Sequence, residues 1–412
     1  MAGLNETPRG NRIHIAFFGL RNAGKSTLVN AFTGQQIAIV SDVPGTTTDP
    51  VSKAMEILPL GPCLVTDTAG LDDEGELGEM RVRKTLGVLA TTDIAVWVRG
   101  EGKENTDSTD STDYHELFLG ECRKRGVVVL EYRRGEAVEE LKKKIAAVKL
   151  EEKMPGLLDG LVKKGDRVLC VVPIDESAPK GRLILPQQQV IRECLDKGIV
   201  CTVCQPEEFE KFGSLEVSRF NLVVTDSQAF GQVRDALADV NFMKDGMPSE
   251  HRSIRPSDHR WRVTSFSVLF ARQKGDLQEF VKGLGAIKGL KDGDTVLVAE
   301  GCTHHRQCND IGTVKIPKAL EKLSGKKLKF EFASGGTFLD SCASLTSGED
   351  AASPLAMIVH CGGCMLTRRE MLRRIARTKE AGIPIVNYGL VLAMANGIDI
   401  ENLMFAELTA NN

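Results

Sequence analysis

Short apolar runs alternate with longer amphipathic stretches along this chain. The first run, Ile13–Phe18, is apolar except for His14, and several runs of similar length follow it. Short apolar runs bounded by polar turns are typical of buried strands, and apolar residues spaced three or four apart are typical of helices. Strands that alternate with helices form parallel sheets. The pattern therefore predicts an α/β fold.

Two breaks divide this pattern into three segments. Met154-Pro155-Gly156 interrupts the helical periodicity, and the polar stretch 249–260 contains no apolar run. Breaks of this kind are typical of linkers between domains. We therefore predict three α/β domains, at residues 1–152, 153–258 and 259–412.

The predicted strands locate the places where a site can form, because ligand sites in open α/β sheets lie at the carboxyl ends of strands. The second segment is predicted to contain the strands Arg167–Val172, Ile199–Val203 and Phe220–Thr225. The third is predicted to contain the strands Ser265–Ala271, Thr295–Ala299, Leu328–Phe332, Leu355–Val359 and Pro384–Val386. In the first segment, the acidic stretch Glu101–Glu116 predicts a solvated, mobile loop.

Composition and charge narrow the class of protein. The chain has 412 residues, of which 42% are hydrophobic and 26% charged, as in ordinary soluble proteins. Its net charge of −3 gives no electrostatic reason to expect nucleic acid or an anionic membrane as a partner. The sequence has neither an apolar run long enough for a membrane span nor the apolar core of a signal peptide. We therefore expect a cytoplasmic protein, whose 11 cysteines do not form a disulfide framework.

A phosphate-binding loop follows the first predicted strand. The run is Gly19-Leu20-Arg21-Asn22-Ala23-Gly24-Lys25-Ser26-Thr27, which fits the pattern G-x-x-x-x-G-K-S/T between a strand and a helix. Glycines let successive backbone N–H groups converge on phosphate oxygens, and the helix N-terminus adds partial positive charge. Lys25 is expected to reach the β- and γ-phosphates, and the Ser26 hydroxyl to bind Mg²⁺.

Two later segments extend this phosphate site. Asp67-Thr68-Ala69-Gly70 follows an apolar strand, so Asp67 is suited to the Mg²⁺ shell and the Gly70 N–H to sensing the γ-phosphate. Between the two motifs lies Pro44-Gly45-Thr46-Thr47-Thr48-Asp49, a polar loop able to close over Mg²⁺ and phosphate. In this order and spacing the three segments predict a P-loop nucleotide hydrolase with Lys25, Asp67 and Gly70 in its catalytic centre.

These three motifs together resemble the bacterial GTPases of the TrmE–Era type. The resemblance implies GTP as the nucleotide, Thr47 as the Mg²⁺-contacting threonine of the switch loop, with Thr46 and Thr48 as alternatives, and an activating K⁺ near Asn22. The guanine-reading motif Asn-Lys-x-Asp is missing after Val127–Leu130, where Glu131-Tyr132-Arg133-Arg134 stands instead. The choice between GTP and ATP therefore stays open, and the domain is predicted to be shortened by a strand and a helix.

Soft metal ligands cluster behind two predicted strands of the third segment. Cys302-Thr303-His304 follows one strand, and His360-Cys361-Gly362-Gly363-Cys364 follows another. Thiolates select zinc or iron–sulfur chemistry, and Cys302, Cys361 and Cys364 are the predicted ligands. His304 and His360 are either a fourth ligand or groups that support the ligands, with His305 and Cys308 in reserve. By contrast, Cys201 and Cys204 are predicted to form a partly buried structural pair.

A P-loop domain followed by these two cysteine motifs resembles the [FeFe]-hydrogenase maturation GTPases of the HydF family. The resemblance implies a P-loop GTPase domain followed by two smaller parallel-sheet α/β domains, of which the middle one forms a homodimer. It also implies a three-cysteine [4Fe–4S] cluster, and a scaffold that receives a diiron precursor from radical-SAM maturases and delivers it to the hydrogenase apoprotein. The alternatives are a zinc-stabilised regulatory NTPase and a GTPase that acts on RNA or ribosomes.

Overall fold

The computed structural model divides the chain into two compact units, Met1–Lys153 and Met154–Asn412. It describes residues 7–36, 50–72, 82, 85–100, 109–150, 154–174, 183–212, 214–245, 262–301, 310–335, 338 and 355–398, with the backbone alone for 109–113, 214–215 and 238–245. None of the helices in these ranges is both long enough and apolar enough to cross a membrane.

The first unit contains a five-stranded sheet in the order β2-β3-β1-β4-β5. Its strands are β1 (Ile13–Phe18), β2 (Val51–Ile57), β3 (Gly61–Asp67), β4 (Ile94–Arg99) and β5 (Val128–Arg133). All neighbouring strands run parallel except β2 and β3, which are antiparallel. The helices are α1 (Lys25–Thr33), α2 (Thr109–Lys124) and α3 (Val138–Ala146).

The central strand β1 explains why this sheet has a core on each face. Ile15 and Phe17 pack into one cluster of buried side chains, and Ala16 and Phe18 pack into another. Successive side chains of a strand point to opposite faces, so a strand buried on both faces consists of a continuous apolar run. The predicted bounds of this strand are therefore confirmed.

The second unit contains two four-stranded sheets in which all neighbouring strands are parallel. One has the order β7-β6-β8-β9 and the other the order β11-β10-β12-β13. The strands are β6 (Arg167–Val171), β7 (Val200–Cys204), β8 (Leu222–Thr225), β9 (Val263–Ser265), β10 (Thr295–Glu300), β11 (Lys329–Ser334), β12 (Leu355–His360) and β13 (Ile385–Asn387). The predicted α/β class, with a P-loop domain followed by parallel-sheet regions, is confirmed.

Helices connect and cover these strands. They are α4 (Leu185–Asp196), α5 (Pro206–Phe209), α6 (Ser214–Val217), α7 (Phe230–Asp245), α8 (Phe266–Lys274), α9 (Leu277–Ala286), α10 (Ile316–Ser324), α11 (Arg368–Glu380) and α12 (Tyr388–Ala395). One hydrophobic core includes Leu169 and Val223 from the first of these sheets and Val296 and Ile358 from the second. The predicted division at residues 258 and 259 stays a prediction.

The predicted strand Ser265–Ala271 is wrong. The strand β9 ends at Ser265, whose hydroxyl accepts a hydrogen bond from Val268 N at 3.2 Å and so caps the helix α8. Almost every residue of α8 is buried, including Phe266, Leu269 and Phe270. A short helix that is buried all round has the same continuous apolar pattern as a buried strand, and periodicity cannot separate the two.

The predicted loop over Glu101–Glu116 is also wrong in its second half, because the helix α2 begins at Thr109. Phe118 and Cys122 of this helix are buried, and the ring of Phe118 lies 4.8 Å from that of Trp97 on the sheet. Packing of one apolar face onto a sheet stabilises a helix whose own sequence favours solvent. Residues 101–108 lie outside the described residues.

Candidate functional site

The phosphate-binding loop joins the carboxyl end of β1 to the N-terminus of α1. Gly19 has φ of 151°, and a Cβ there would lie 2.6 Å from the carbonyl oxygen of Val98. Gly24 has φ of 90° and directly precedes the helix, while Asn22 adopts a left-handed φ of 57°. The loop therefore has a backbone conformation that only glycine, and less often asparagine, adopts at low cost.

Lys25 is folded back over this loop. Its side chain is buried, and its Nζ donates hydrogen bonds to the carbonyl oxygens of Leu20, at 2.7 Å, and Gly19, at 3.2 Å. An ammonium held against the loop carbonyls lies where the phosphates of a nucleotide are cradled in P-loops. Thr27, which follows Ser26 in α1, is exposed.

Ser26 and Asp67 meet beside the loop. The Ser26 hydroxyl donates to Asp67 Oδ2 at 2.6 Å, and Asp67 Oδ1 is buried without a hydrogen-bond partner among the described residues. Burial raises the pKa of Asp67. This effect is larger than those of the hydrogen bond from Ser26 and the charge of Lys25, which lower the pKa. A hydroxyl and a carboxylate with an unused buried oxygen are the hard oxygen donors that Mg²⁺ prefers. The two residues therefore fit a Mg²⁺ site.

The segment after Asp67 packs directly on the phosphate-binding loop. Thr68 Oγ1 donates to Phe17 O at 2.7 Å, and Arg21 N donates to Asp72 Oδ1 at 2.6 Å. A Cβ at Gly70 would lie 2.7 Å from Arg21 Cγ, so only glycine fits this contact without a shift. The structure thus brings together five of the predicted positions: Gly19, Lys25, Ser26, Asp67 and Gly70. The predicted switch residues Thr46, Thr47 and Thr48 lie outside the described residues.

The guanine-reading side is short, as the sequence predicts. The strand β5 ends at Arg133, Gly135 turns the chain with φ of 97°, and α3 begins at Val138. The Tyr132 hydroxyl donates to Glu136 O at 2.8 Å and closes this turn. A link of four residues leaves no room for a further strand and helix between β5 and α3.

Cys361 lies at the point where β10 and β12 end side by side. Its Sγ accepts hydrogen bonds from the backbone N–H groups of Gly301, at 3.2 Å, and Gly363, at 3.4 Å. Gly301 is the residue after β10 and directly precedes Cys302, which lies outside the described residues together with His304, His305 and Cys308. Hydrogen bonds to sulfur stabilise a thiolate ligand and tune the metal that it binds.

Glycines shape the turn between the two described cysteines. Gly363 has φ of 66°, and a Cβ there would meet the end of the Met371 side chain. A Cβ at Gly362 would lie 3.3 Å from the backbone of Ser267 in α8. The turn therefore packs closely between α8 and α11, and this packing fixes the positions of Cys361 and Cys364.

His360 is buried behind this turn. Its Nε2 lies 3.0 Å from Arg374 Nη1, which can only donate, so Nδ1 carries the proton and donates to Cys361 O at 2.8 Å. Burial, with the nearby charge of Arg374, lowers the pKa of His360 to about 3, so the ring is neutral. Both ring nitrogens are used in this arrangement. It therefore favours the alternative in which His360 supports Cys361 over the one in which it is a ligand.

Arg374 extends this support to two further elements. Its Nε donates to Glu370 Oε1 at 3.1 Å, its Nη2 donates to Gly335 O at 2.5 Å, and its guanidinium lies 4.7 Å from the centre of the Phe338 ring. Gly335 follows β11, so Arg374 connects the ends of β11 and β12 through one buried side chain. The sequence shows no signal for this role, because the arginine lies in an amphipathic helix rich in basic residues.

The donor set fits a soft metal, although it is incomplete within the described residues. No group of three His, Cys, Asp or Glu side chains there could hold a metal ion, and only two of the three predicted cysteines are among the described residues. Burial raises the pKa of Cys361 to about 11 and also raises that of Cys364. Without a metal both thiols are therefore protonated, and metal binding releases protons.

A separate group of cysteines, Cys170, Cys194 and Cys201, lies at the sheet β7-β6-β8-β9. Cys201 Sγ is 3.8 Å from Cys170 Sγ, and Cys194 also hydrogen-bonds to Cys201. Cys204 instead packs against the core of the opposite face. Cys201 and Cys204 are both partly buried, as predicted, but they do not lie side by side, because residues three apart on a strand point to opposite faces.

Comparison with known families defines both the class of this protein and its family. The first unit has the fold and phosphate site of a P-loop GTPase domain, and residues 14–131 match the family model described as 50S ribosome-binding GTPase. Residues 157–244 match the hydrogen maturase F dimerization domain, and residues 278–403 match the hydrogen maturase F tetramerization domain. The chain belongs to the hydrogen maturase F family of GTPases.

Two curated GTPases each match about a quarter of this chain. The chain is 44% identical to GTPase Der of Xylella fastidiosa (strain M23) over 104 residues, which are 24% of this chain and 22% of the relative. It is 36% identical to the tRNA modification GTPase MnmE of Endomicrobium trichonymphae over 97 residues, which are 22% of this chain and 20% of the relative. The chain thus spans about a fifth of the length of the curated relatives that it matches.

Among solved structures, Era of Aquifex aeolicus is similar to 79% of this chain over 94% of its own length, at 14% identity. The TM-score of that match is 0.24. No structural conclusion follows from a score this low.

Proposed function

We propose that this protein is a GTP-hydrolysing scaffold of [FeFe]-hydrogenase maturation, which holds a [4Fe–4S] cluster through Cys302, Cys361 and Cys364. The observation that carries the proposal is the hydrogen bond from Gly301 N to Cys361 Sγ at 3.2 Å. Cys302 is covalently next to Gly301, so this contact supports a convergence of the two cysteine motifs at one edge of the sheet.

The described residues suit this role in three ways. Two backbone N–H groups point at Cys361 Sγ, the glycine turn fixes Cys364 relative to Cys361, and His360 holds the Cys361 carbonyl. When bound, a cluster with three cysteine ligands supplies one iron with an exchangeable position. His304 is a further ligand or supporting residue in this proposal, and the diiron precursor is its cargo. Radical-SAM maturases and the hydrogenase apoprotein are the proposed partners.

The nucleotide half of the proposal rests on the phosphate site. Lys25 neutralises the β- and γ-phosphates, Ser26 and Asp67 hold Mg²⁺, and the Gly70 N–H senses the γ-phosphate. Thr46 and Thr47 of the switch loop close over Mg²⁺, and Asn22 helps to bind an activating K⁺. Positive charge at that point stabilises the charge that develops during phosphoryl transfer. GTP is the proposed nucleotide, although the short link after β5 lacks a residue that reads the guanine ring.

The experiment measures iron and nucleotide turnover on the same anaerobically reconstituted preparations. The parent protein should be brown, hold about four irons per chain and hydrolyse GTP, faster in KCl than in NaCl. Cys361→Ala should lose the iron and keep its turnover. Lys25→Ala should keep the iron and lose turnover. Cys122→Ala is the matched cysteine control, because Cys122 is buried in the first unit, and it should keep both.

Each half can fail separately. Colourless parent protein with one zinc per chain would contradict the cluster and support the zinc-stabilised alternative. Turnover that persists in Lys25→Ala would contradict the phosphate site, and equal rates in the two salts would remove the role of Asn22. Competition between GTP and ATP for the parent protein decides the nucleotide.

A further inference from the structure

A lysine is buried beneath the cysteine turn. Lys274 is the last residue of α8 and its relative exposure is 0%. Its Nζ donates hydrogen bonds to Cys364 O at 2.8 Å and to Leu366 O at 2.6 Å. These two carbonyls belong to the chain just after the glycine turn, so the lysine holds the Cys364 side of the turn against α8.

The surroundings of this ammonium contain few compensating charges. The titratable groups that act on Lys274 are Cys364 and Cys361, and no described carboxylate forms an ion pair with it. The ring of Phe270 lies 5.6 Å from Nζ and offers a cation–π contact. Burial of an ammonium is costly unless an opposite charge accompanies it. The groups in the described part of the chain that can supply this charge are the two thiols, once they are thiolates.

The opposite side of the turn carries a charge of the other sign. Burial is the main cause that raises the pKa of Cys361, and the buried carboxylate of Glu300, at the end of β10, adds to this rise. Lys274 acts on Cys364, whose pKa it lowers against the larger effect of burial. The turn therefore has its cation on the Cys364 side and its carboxylate on the Cys361 side.

We propose that Lys274 is the counter-charge built into the cysteine site, where its ammonium anchors the Cys364 carbonyl and stabilises negative charge on the thiolate-bound cluster. This inference rests on the proposed cluster. Reduction adds one negative charge, which a buried cation stabilises more strongly than an exposed one. Net charge and hydrogen bonding near a cluster set its reduction potential. Loss of the lysine charge should therefore make the cluster harder to reduce.

The test is a titration with dithionite, followed by EPR, on anaerobically reconstituted full-length protein. Lys274→Met removes the charge but keeps the length of the side chain. We expect its equilibrium constant for reduction to fall at least tenfold, which is about 59 mV for a one-electron couple. Lys274→Arg keeps the charge and should stay closer to the parent than Lys274→Met. Lys282→Met is the control, since Lys282 lies on α9 with 69% of its side chain exposed, and its potential should equal that of the parent.

The outcomes separate this inference from the proposed function. If the parent protein binds no cluster, the proposed function fails. If the parent and Lys274→Met bind the cluster with equal potentials, the counter-charge role is overturned. Lys274→Gln provides a second neutral variant with an N–H donor in case Lys274→Met does not retain iron. If both neutral variants lose iron and Lys274→Arg retains it, the result supports the counter-charge role. If all three variants lose iron, Lys274 has a purely structural role and the inference is overturned.

Discussion

Arg374 connects more of the cysteine site than any other side chain described above. It contacts His360, the carbonyl of Gly335 and the carboxylate of Glu370, and 2% of its side chain is exposed. His360 in turn donates a hydrogen bond to the Cys361 carbonyl. A substitution at Arg374 can therefore alter the cysteine turn although Arg374 itself contacts neither cysteine. Glu370 also lies 3.6 Å from Arg373, but that pair is more exposed.

Arg374→Ala should lower the free energy of unfolding by about 3 kcal/mol. The substitution leaves the buried Glu370 carboxylate without its closest cation, and removal of one partner of a buried pair is strongly destabilising. Hydrogen exchange of the amides in β12 measures this change as a free energy of opening. Arg377→Ala is the matched control on the same helix, where 63% of the arginine is exposed beside Glu380. It should cost about 0.5 kcal/mol or less, and equal costs for the two variants would contradict the role of Arg374.

The residues of the two sites differ in how far the sequence predicts them. Lys25, Ser26 and Asp67 belong to local motifs, in which the chemistry requires fixed residue types next to a strand end. Arg374 and Lys274 have no such motif. Each is a basic residue at the end or on the surface of a helix, and basic residues in such places are usually solvated. Only the packing of neighbouring strands and helices shows that both are buried.

At the scale of elements, the turn between β12 and α11 places Cys361 and Cys364. Gly363 has φ of 66°, and it is packed against Met371 of α11. Gly382 follows the same helix with φ of 68°, and nothing lies within 4 Å of the place where its Cβ would be. The two glycines therefore share a backbone conformation and differ in the space around them.

Gly363→Ala should cost about 2 kcal/mol of stability, and Gly382→Ala about 1 kcal/mol. Both substitutions force alanine into the left-handed region, which costs about 1 kcal/mol or slightly more. Only Gly363→Ala also forces a methyl group against the end of the buried Met371 side chain, and because this side chain is flexible the added cost should be about 1 kcal/mol, at the low end for overpacking. Hydrogen exchange in β12 and α11 measures both changes. Equal effects would show that the turn has room to adjust and that Met371 does not restrain it.

The elements also show where a pattern of apolar residues is ambiguous. The strand Ile13–Phe18 is correctly predicted, because it is flanked by a polar stretch and a glycine-rich loop. Ser265–Ala271 is predicted as a strand in the same way but begins a helix, since α8 is buried on all sides. The capping hydroxyl of Ser265 is the signal that separates the two, as serine is favoured at the residue before a helix.

At the scale of the whole chain, the strands described in the second unit form two four-stranded sheets. The outermost described strands are β7 and β9 in one sheet and β11 and β13 in the other. β9 lies beyond the predicted boundary at residue 258 but completes the sheet of the preceding segment by pairing with β8. A boundary placed at a polar stretch marks where the chain leaves a sheet. It does not show that the chain returns to the same sheet after the polar stretch, because strand pairing is not a local property.

Self-association is expected of this second unit. Its two family models are described as a dimerization and a tetramerization domain. Light scattering after size exclusion should give twice or four times the chain mass of 44.9 kDa. The fragment Met1–Lys153, which has its own buried clusters and lies outside both models, should stay monomeric. A full-length chain that remains at 44.9 kDa over a wide range of concentrations would contradict this expectation. Association of the fragment alone would place the interface in the P-loop domain instead.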